Sequence, residues 1–418
     1  MKSFFGFGFG PIQSGLMLFE AWKSGNFDRF AVAEVDGEVV SAVRRNRGVV
    51  SINIAGEDGV RTERLDRLEL WNPADPQDAA ALREALASAE ELATALPSVD
   101  FYERGEPSVA QLLAGLPDDK PRILYAGENH NEAAEILSEK IRRRRGAPLP
   151  GFACLNTVIG KMSGGVRGWD EIRRLGLEPL TPELPRAVLV ESFNRILITK
   201  CPFPSFHRGI AVFEEKGELL PFEEAKLFGH NAVHFTLACL AARRGYRVMS
   251  DWRADAPLMA FARELFAEIG GALVHRYPTL CDPLFTRAGF EAYGEDLLVR
   301  MTNPFLRDEV GRVSRDPVRK LAPGDRLVGA MLTCLAEGKE PRGFGRATAA
   351  GLGQLALHPE GAPREIAALL PADGRLSRDT CQRVMEALWA PHLDPARFTE
   401  VCAWVHEGRA WLAENGLG

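Results

Sequence analysis

Apolar positions follow two rhythms along this chain, and the change from one to the other divides it. Up to about residue 200, short apolar runs of strand length alternate with stretches of helical period. The runs at 2–7, 29–33, 49–54, 65–70, 92–98, 122–126, 152–159 and 187–192 predict strands. Residues 16–23, 72–93, 108–116 and 132–145 predict helices between them. Residues 163–185 are rich in Gly and Pro and lack a period, which predicts a loop or a small excursion. From Pro221 the strand rhythm stops. Helices are expected at 223–244, 254–270, 284–299, 304–313, 323–337, 342–357, 363–370, 377–388 and 395–414.

The first strand runs straight into Gly6-Phe7-Gly8-Phe9-Gly10-Pro11-Ile12-Gln13, and a helix follows. Strand, glycine turn and helix are the setting of a dinucleotide fingerprint, in which Gly8 and Gly10 let backbone approach a pyrophosphate. Pro11 and Ile12 open the helix on which that pyrophosphate would rest. Gln13 stands where a third glycine is usual, so a glycine turn without ligand is the competing reading. Glu34 ends the second strand, where a carboxylate can grip a ribose 2'-hydroxyl and repel a 2'-phosphate; this favours NAD over NADP, with Asp36 as the substitute. The fold class is therefore α/β: an N-terminal Rossmann-like, mainly parallel sheet domain over 1–200, followed by an all-α C-terminal domain over 201–418.

One polar stripe breaks the apolar pattern of the second half. Glu223, Lys226, His230, Asn231 and His234 lie on a helix backed by Leu227, Phe228, Val233, Phe235, Leu237 and Leu240. At about 100° per residue, Lys226, His230 and His234 fall within about 80° of one another. A lysine on the inner side of an apolar helix loses solvation, and its pKa falls toward the range of a general base. A solvated helix face with ordinary caps is the alternative.

Composition narrows the function classes. The chain has 418 residues, 46% hydrophobic and 26% charged, and its net charge of −6 gives no bias toward nucleic acid. No apolar run is long enough to span a bilayer, and residues 1–10 are too short for a signal-peptide core, so no membrane partner is expected. Seven cysteines without CxxC spacing predict reduced thiols and a cytoplasmic location. His230 and His234 stand at a zinc-binding interval, but Asn231 and Ala232 follow His230 where HExxH needs glutamate, so no metal is expected.

Taken together, the stretches resemble one family, the mannitol and mannitol-1-phosphate dehydrogenases. Lys226, Asn231 and His234 match its K-x-x-x-x-N-x-x-H signature, with Glu223 at its acidic position three residues earlier. Gly8-x-Gly10, Ala33-Glu34-Val35 and Glu128-Asn129 resemble its cofactor half, and Asn156-Thr157-Val158-Ile159 its asparagine strand. The resemblance implies a polyol dehydrogenase in which NAD exchanges hydride with a secondary alcohol. In that scheme Lys226 is the base, Asn156 and Asn231 polarise the carbonyl, His234 orients a hydroxyl or the lysine, and Glu223 passes the proton to water. It also implies that Asn129 contacts the cofactor and that His230 and Lys161 face the substrate.

The block from Met301 to Leu327 resembles the mannitol-1-phosphate 5-dehydrogenase branch, and Arg312, Arg315, Arg319, Lys320 and Arg326 could supply a phosphate site. Pairing of these cations with Asp308, Glu309, Asp316 and Asp325 is the competing reading. Gly160-Lys161 replaces the family's Asp-Arg. The expected substrate is thus mannitol 1-phosphate or fructose 6-phosphate. The alternatives are an unphosphorylated polyol or a sugar acid, as in a mannitol 2-dehydrogenase or a hexuronate reductase, and a non-catalytic NAD- or sugar-binding sensor. A monomer is favoured.

Overall fold

The structure, a computed structural model, describes residues 2–416. It forms two compact units, one ending at Leu220 and one beginning at Pro221, against the boundary at 200/201 expected from the sequence.

Unit 1 contains strands β1 (Ser3–Phe7), β2 (Arg29–Ala33), β3 (Val50–Ala55), β4 (Val60–Leu65), β5 (Leu68–Trp71), β6 (Glu91–Thr94), β7 (Arg122–Ala126), β8 (Phe152–Val158), β9 (Ser163–Arg167), β10 (Arg186–Glu191), β11 (Leu197–Thr199) and β12 (Glu214–Lys216). The larger sheet has the order β12-β11-β8-β7-β6-β1-β2-β5. From β8 to β5 every pairing is parallel, while β11 runs antiparallel to β8. This is the Rossmann-like arrangement the alternation predicts, with the order reversing beside β1. Strands such as Phe4-Phe5 and Leu124-Tyr125 are buried on both faces, as in a sheet covered by helices on each side.

A smaller sheet, β4-β3-β10-β9, accounts for two departures from the sequence reading. The strand expected over 65–70 is split: β4 pairs with β3, and β5 joins the large sheet beside β2. The loop expected over 163–185 contains β9, antiparallel to β10, and the helix Trp169–Arg174. Polar β4 and glycine-bearing β9 carry little apolar signal because each lies at an edge. Residues 201–220 stay with unit 1, since β12 pairs with β11.

Among its described residues, unit 2 consists of helices with one isolated β-bridge, Val248 to Glu309. Its long members are Ala232–Arg243, Ala256–Arg276, Arg287–Met301, Arg326–Ala336, Arg342–Leu357, Arg378–Trp389 and Pro395–Glu414. The helix expected over 304–313 shrinks to Val310–Val313 because Pro304 follows Asn303 and Arg307 adopts a left-handed backbone conformation, φ 54°.

Candidate active site

The glycine turn of unit 1 is built around Gly8, whose φ of 81° is open to glycine at little cost. Its N–H donates to Ala33 O at 2.8 Å, tying the turn to the end of β2. Next to it the Phe9 N–H donates to Glu34 Oε2 at 2.7 Å, while Glu34 Oε1 accepts the Asp36 N–H at 2.8 Å. Each carboxylate oxygen keeps a further lone pair. Gly10 is exposed with open space around its Cα, and Pro11 and Ile12 are half-buried at the start of the helix. A positive-φ glycine, an open glycine and a carboxylate at the end of β2 fit a dinucleotide. Asp36 caps the following helix through Glu38 N and Val39 N and pairs with Arg186, so it is occupied elsewhere.

The third-glycine position resolves differently. Gln13 is buried, and its amide lies over Gly6, where a Cβ would come within 2.1 Å of Nε2. The close helix approach falls at Gly15, where a Cβ would meet Val190 at 2.5 Å. Gly15 thus lets the helix approach β10 of the smaller sheet, along a π-helical turn over Gln13–Met17.

Asn129 is exposed just beyond β7, whereas its neighbour Glu128 is buried and accepts from Thr94 Oγ1, Leu96 N and Tyr102 Oη. Burial pushes the Glu128 carboxyl up despite those donors. Asn156 is buried on β8; its Oδ1 accepts the Ala134 N–H at 2.8 Å and its Nδ2 donates to Glu135 Oε2 at 2.7 Å. One amide hydrogen is thereby engaged at the start of the helix Ala133–Arg145. Lys161, expected to face the substrate, is buried with its ammonium donating to the carbonyls of Glu191 and Phe193. It holds the chain just after β10.

In unit 2 the residues of the polar stripe converge, with a geometry the sequence did not predict. Ala225–Asn231 is a π-helical stretch rather than an α-helix. Its i to i+5 bonding stacks residues five apart, so Lys226 and Asn231 come onto one face. Phe228, Val233, Phe235, Leu237 and Leu240 are buried behind them, and Leu227 is half-buried. Lys226 is half-buried; loss of solvation, then the positive charge of Arg326, draws it down from its ordinary value to about 8, with Glu223 opposing. His230 is buried with its ring centroid 5.9 Å from that of His234. Burial, followed by the charges of His234, Arg300, Lys226 and Arg326, holds His230 well below its usual pKa and therefore neutral. Asp308 Oδ2 lies 3.1 Å from His234 Nε2. No group of three or more His, Cys, Asp or Glu side chains forms a metal-binding arrangement among the described residues.

The family signal falls on this unit. Residues 218–353 match the family model described as the mannitol dehydrogenase C-terminal domain, a span that contains Lys226, Asn231, His234 and Asp308. Residues 218–353 are thus a mannitol dehydrogenase C-terminal domain. Among solved structures, D-sorbitol dehydrogenase in substrate-free form matches with a TM-score of 0.77 at 14% identity, covering 100% of this chain and 94% of that one. Pseudomonas fluorescens mannitol 2-dehydrogenase, in ternary complex with NAD and D-mannitol, matches with a TM-score of 0.72 at 14% identity, over 100% of this chain and 92% of that one. These likenesses show the shared fold.

Within this unit four of the five cations of the expected phosphate cluster are engaged internally, while Arg315 is exposed and donates to Arg312 O. Arg312 binds Asp308, Arg319 binds Asp316 and Asp325, and Arg326 binds Asp325. Lys320 is buried; its ammonium donates to Val313 O and Arg315 O and lies 4.7 Å from the centre of the Phe235 ring. The competing structural reading thus accounts for Arg319 and Lys320. Arg300 was missed. Its Nη1 lies 3.2 Å from Asp296 Oδ2, and its charge reaches His230. At i, i+4 on a helix the pair reads from sequence as a surface salt bridge, which hid it.

Proposed function

We propose that this chain oxidises a secondary hydroxyl of an unphosphorylated polyol, with NAD as hydride acceptor. The observation that carries the reading is Lys226: a lysine drawn to about 8 by burial and Arg326, on the face that a π-helical turn shares with Asn231. A base near neutrality can take the hydroxyl proton as the carbon–hydrogen bond breaks. When bound, NAD supplies the hydride-accepting carbon. The glycine turn at Gly8 and Gly10, with the helix start at Pro11 and Ile12, would hold its pyrophosphate. Glu34 would accept from the ribose 2'-hydroxyl through its remaining lone pairs and disfavour a 2'-phosphate. Asn231 would donate to the developing alkoxide. His234 would accept from a neighbouring hydroxyl, and Glu223 would relay the proton from Lys226 to water.

The preference for a free polyol over a polyol phosphate rests on the pairing of Arg312, Arg319 and Arg326 with carboxylates and of Lys320 with two carbonyls. A phosphate there would compete with carboxylates and carbonyls that already take part of their charge and donors. The likeness to sorbitol and mannitol 2-dehydrogenases is in keeping with this choice. The test is the rate of NADH formation with mannitol, sorbitol and mannitol 1-phosphate, repeated with NADP. A kcat/KM that favours a free polyol and NAD is expected. A strong preference for the phosphorylated substrate would restore the basic cluster as its binding site.

A further inference from the structure

Asp308 is a buried carboxylate whose two oxygens face different partners. Oδ1 is held by Arg312, through Nε at 2.9 Å and through Nη2. Oδ2 faces His234 Nε2 at 3.1 Å, and neither of these two buried atoms has a hydrogen-bond partner among the described residues. The contact lies within ion-pair distance. Burial alone would push the Asp308 carboxyl up; His234 and Arg312 outweigh it and hold Asp308 below the usual range, so it is a carboxylate. Its backbone is also fixed, since Asp308 O accepts the Met249 N–H at 2.8 Å and the bridge from Glu309 to Val248 follows.

A carboxylate oxygen can only accept. An imidazole nitrogen facing it across 3.1 Å must therefore carry the proton. We propose that Asp308 is a positioning residue for His234: it fixes the neutral ring as the Nε2–H tautomer, so that Nδ1 is offered as an acceptor to a hydroxyl of the substrate. This rests on the polyol reading for the identity of the hydroxyl, but the tautomer itself does not. It gives His234 and His230 distinct parts. His230 is a buried neutral ring acted on, among the described residues, by the charges of His234, Arg300, Lys226 and Arg326, whereas His234 has its orientation set by a chain running from Arg312 through Asp308. The arrangement also explains why Arg312 is spent on Asp308 rather than left for an anionic substrate.

The substitution Asp308→Asn gives a sharp test because Arg312 dictates how the new amide lies. Arg312 keeps donating to Oδ1, so Nδ2 with its hydrogens turns to His234 Nε2. That nitrogen must then accept, and the proton moves to Nδ1. The experiment is a long-range proton–nitrogen correlation spectrum of protein labelled with nitrogen-15 histidine, at mildly alkaline pH without substrate. His234→Gln assigns the signal. The wild-type protein is expected to show Nε2 protonated and Nδ1 bare, and Asp308→Asn the reverse. With the polyol that wild type turns over, Asp308→Asn is expected to lose about 10- to 100-fold in kcat/KM, the range for carboxylates that orient functional histidines, with NAD affinity unchanged. A wild-type spectrum showing Nδ1–H overturns the proposal whether or not the variant folds. An unchanged tautomer in a folded Asp308→Asn protein does the same. Wild-type protein that oxidises no polyol would refute the function, and the spectrum would still decide the role of Asp308.

Discussion

Glu34 reaches back from the end of β2 to accept the N–H of Phe9 at 2.7 Å, so the acidic residue and the glycine turn form one hydrogen-bonded unit. Glu34→Ala removes an ionised acceptor from two backbone donors, those of Phe9 and Asp36. The expected effect is weaker NAD binding by about 1.5–3 kcal/mol, the range for a hydrogen bond to a charged group, and a relaxed preference against NADP. Titration calorimetry with both cofactors checks this. Unchanged affinity and preference would remove Glu34 from the cofactor site.

Asn156 holds the start of the helix Ala133–Arg145 from outside it, accepting from Ala134 N where an N-cap side chain ordinarily would. Asn156→Ala is expected to cost about 1 kcal/mol, as a lost N-cap does. A urea unfolding series measures that loss. If Asn156 also polarises the substrate carbonyl through its second amide hydrogen, kcat falls much further than the stability. If its role is capping alone, kcat is unchanged.

Lys320 is a buried lysine whose pKa burial and Arg326 draw down to about 8 from the ordinary 10.5 of a free lysine. Between those values the unfolded chain binds more protons than the folded one at this position, so the residue makes stability rise with pH across that window. Lys320→Met should lose that rise, along with the bonds to Val313 O and Arg315 O. Urea midpoints at the two ends of the window test it. The ratio of activities on free and phosphorylated polyols should be the same in this variant as in wild type; a selective loss on the phosphate would return Lys320 to the substrate site.

The parts of this molecule that were legible in the sequence are those where packing follows periodicity. Strands β1, β2, β7 and β8 and the long helices of unit 2 declare themselves because their apolar faces are continuous. Strands β11 and β12 do not: each has three residues, and β12 is Glu214-Glu215-Lys216. The polar stripe of Lys226, Asn231 and His234 is visible in residue type and spacing. The π-helical turn that aligns Lys226 with Asn231 is not, since hydrogen-bond register leaves no mark in the order of residues. Lys161, Arg319 and Lys320 have partners that the sequence does not show, for a related reason. Charge is visible in a sequence, but the carbonyls and carboxylates that absorb it come from the fold. Asp308 and Arg300 acquire meaning only once the helices bring them to the two histidines.

The central claim is that Lys226 is the base, and it is tested most directly by the pH dependence of kcat/KM for polyol oxidation in wild type and in Lys226→Met. With the lysine near 8, oxidation should rise with pH through about 8 and then level, while ketose reduction falls across the same range. Lys226→Met should lose about 10²- to 10⁴-fold in kcat and the pH step with it, at unchanged NAD affinity. A variant that keeps the step, or more than a few per cent of the wild-type rate, would contradict the account.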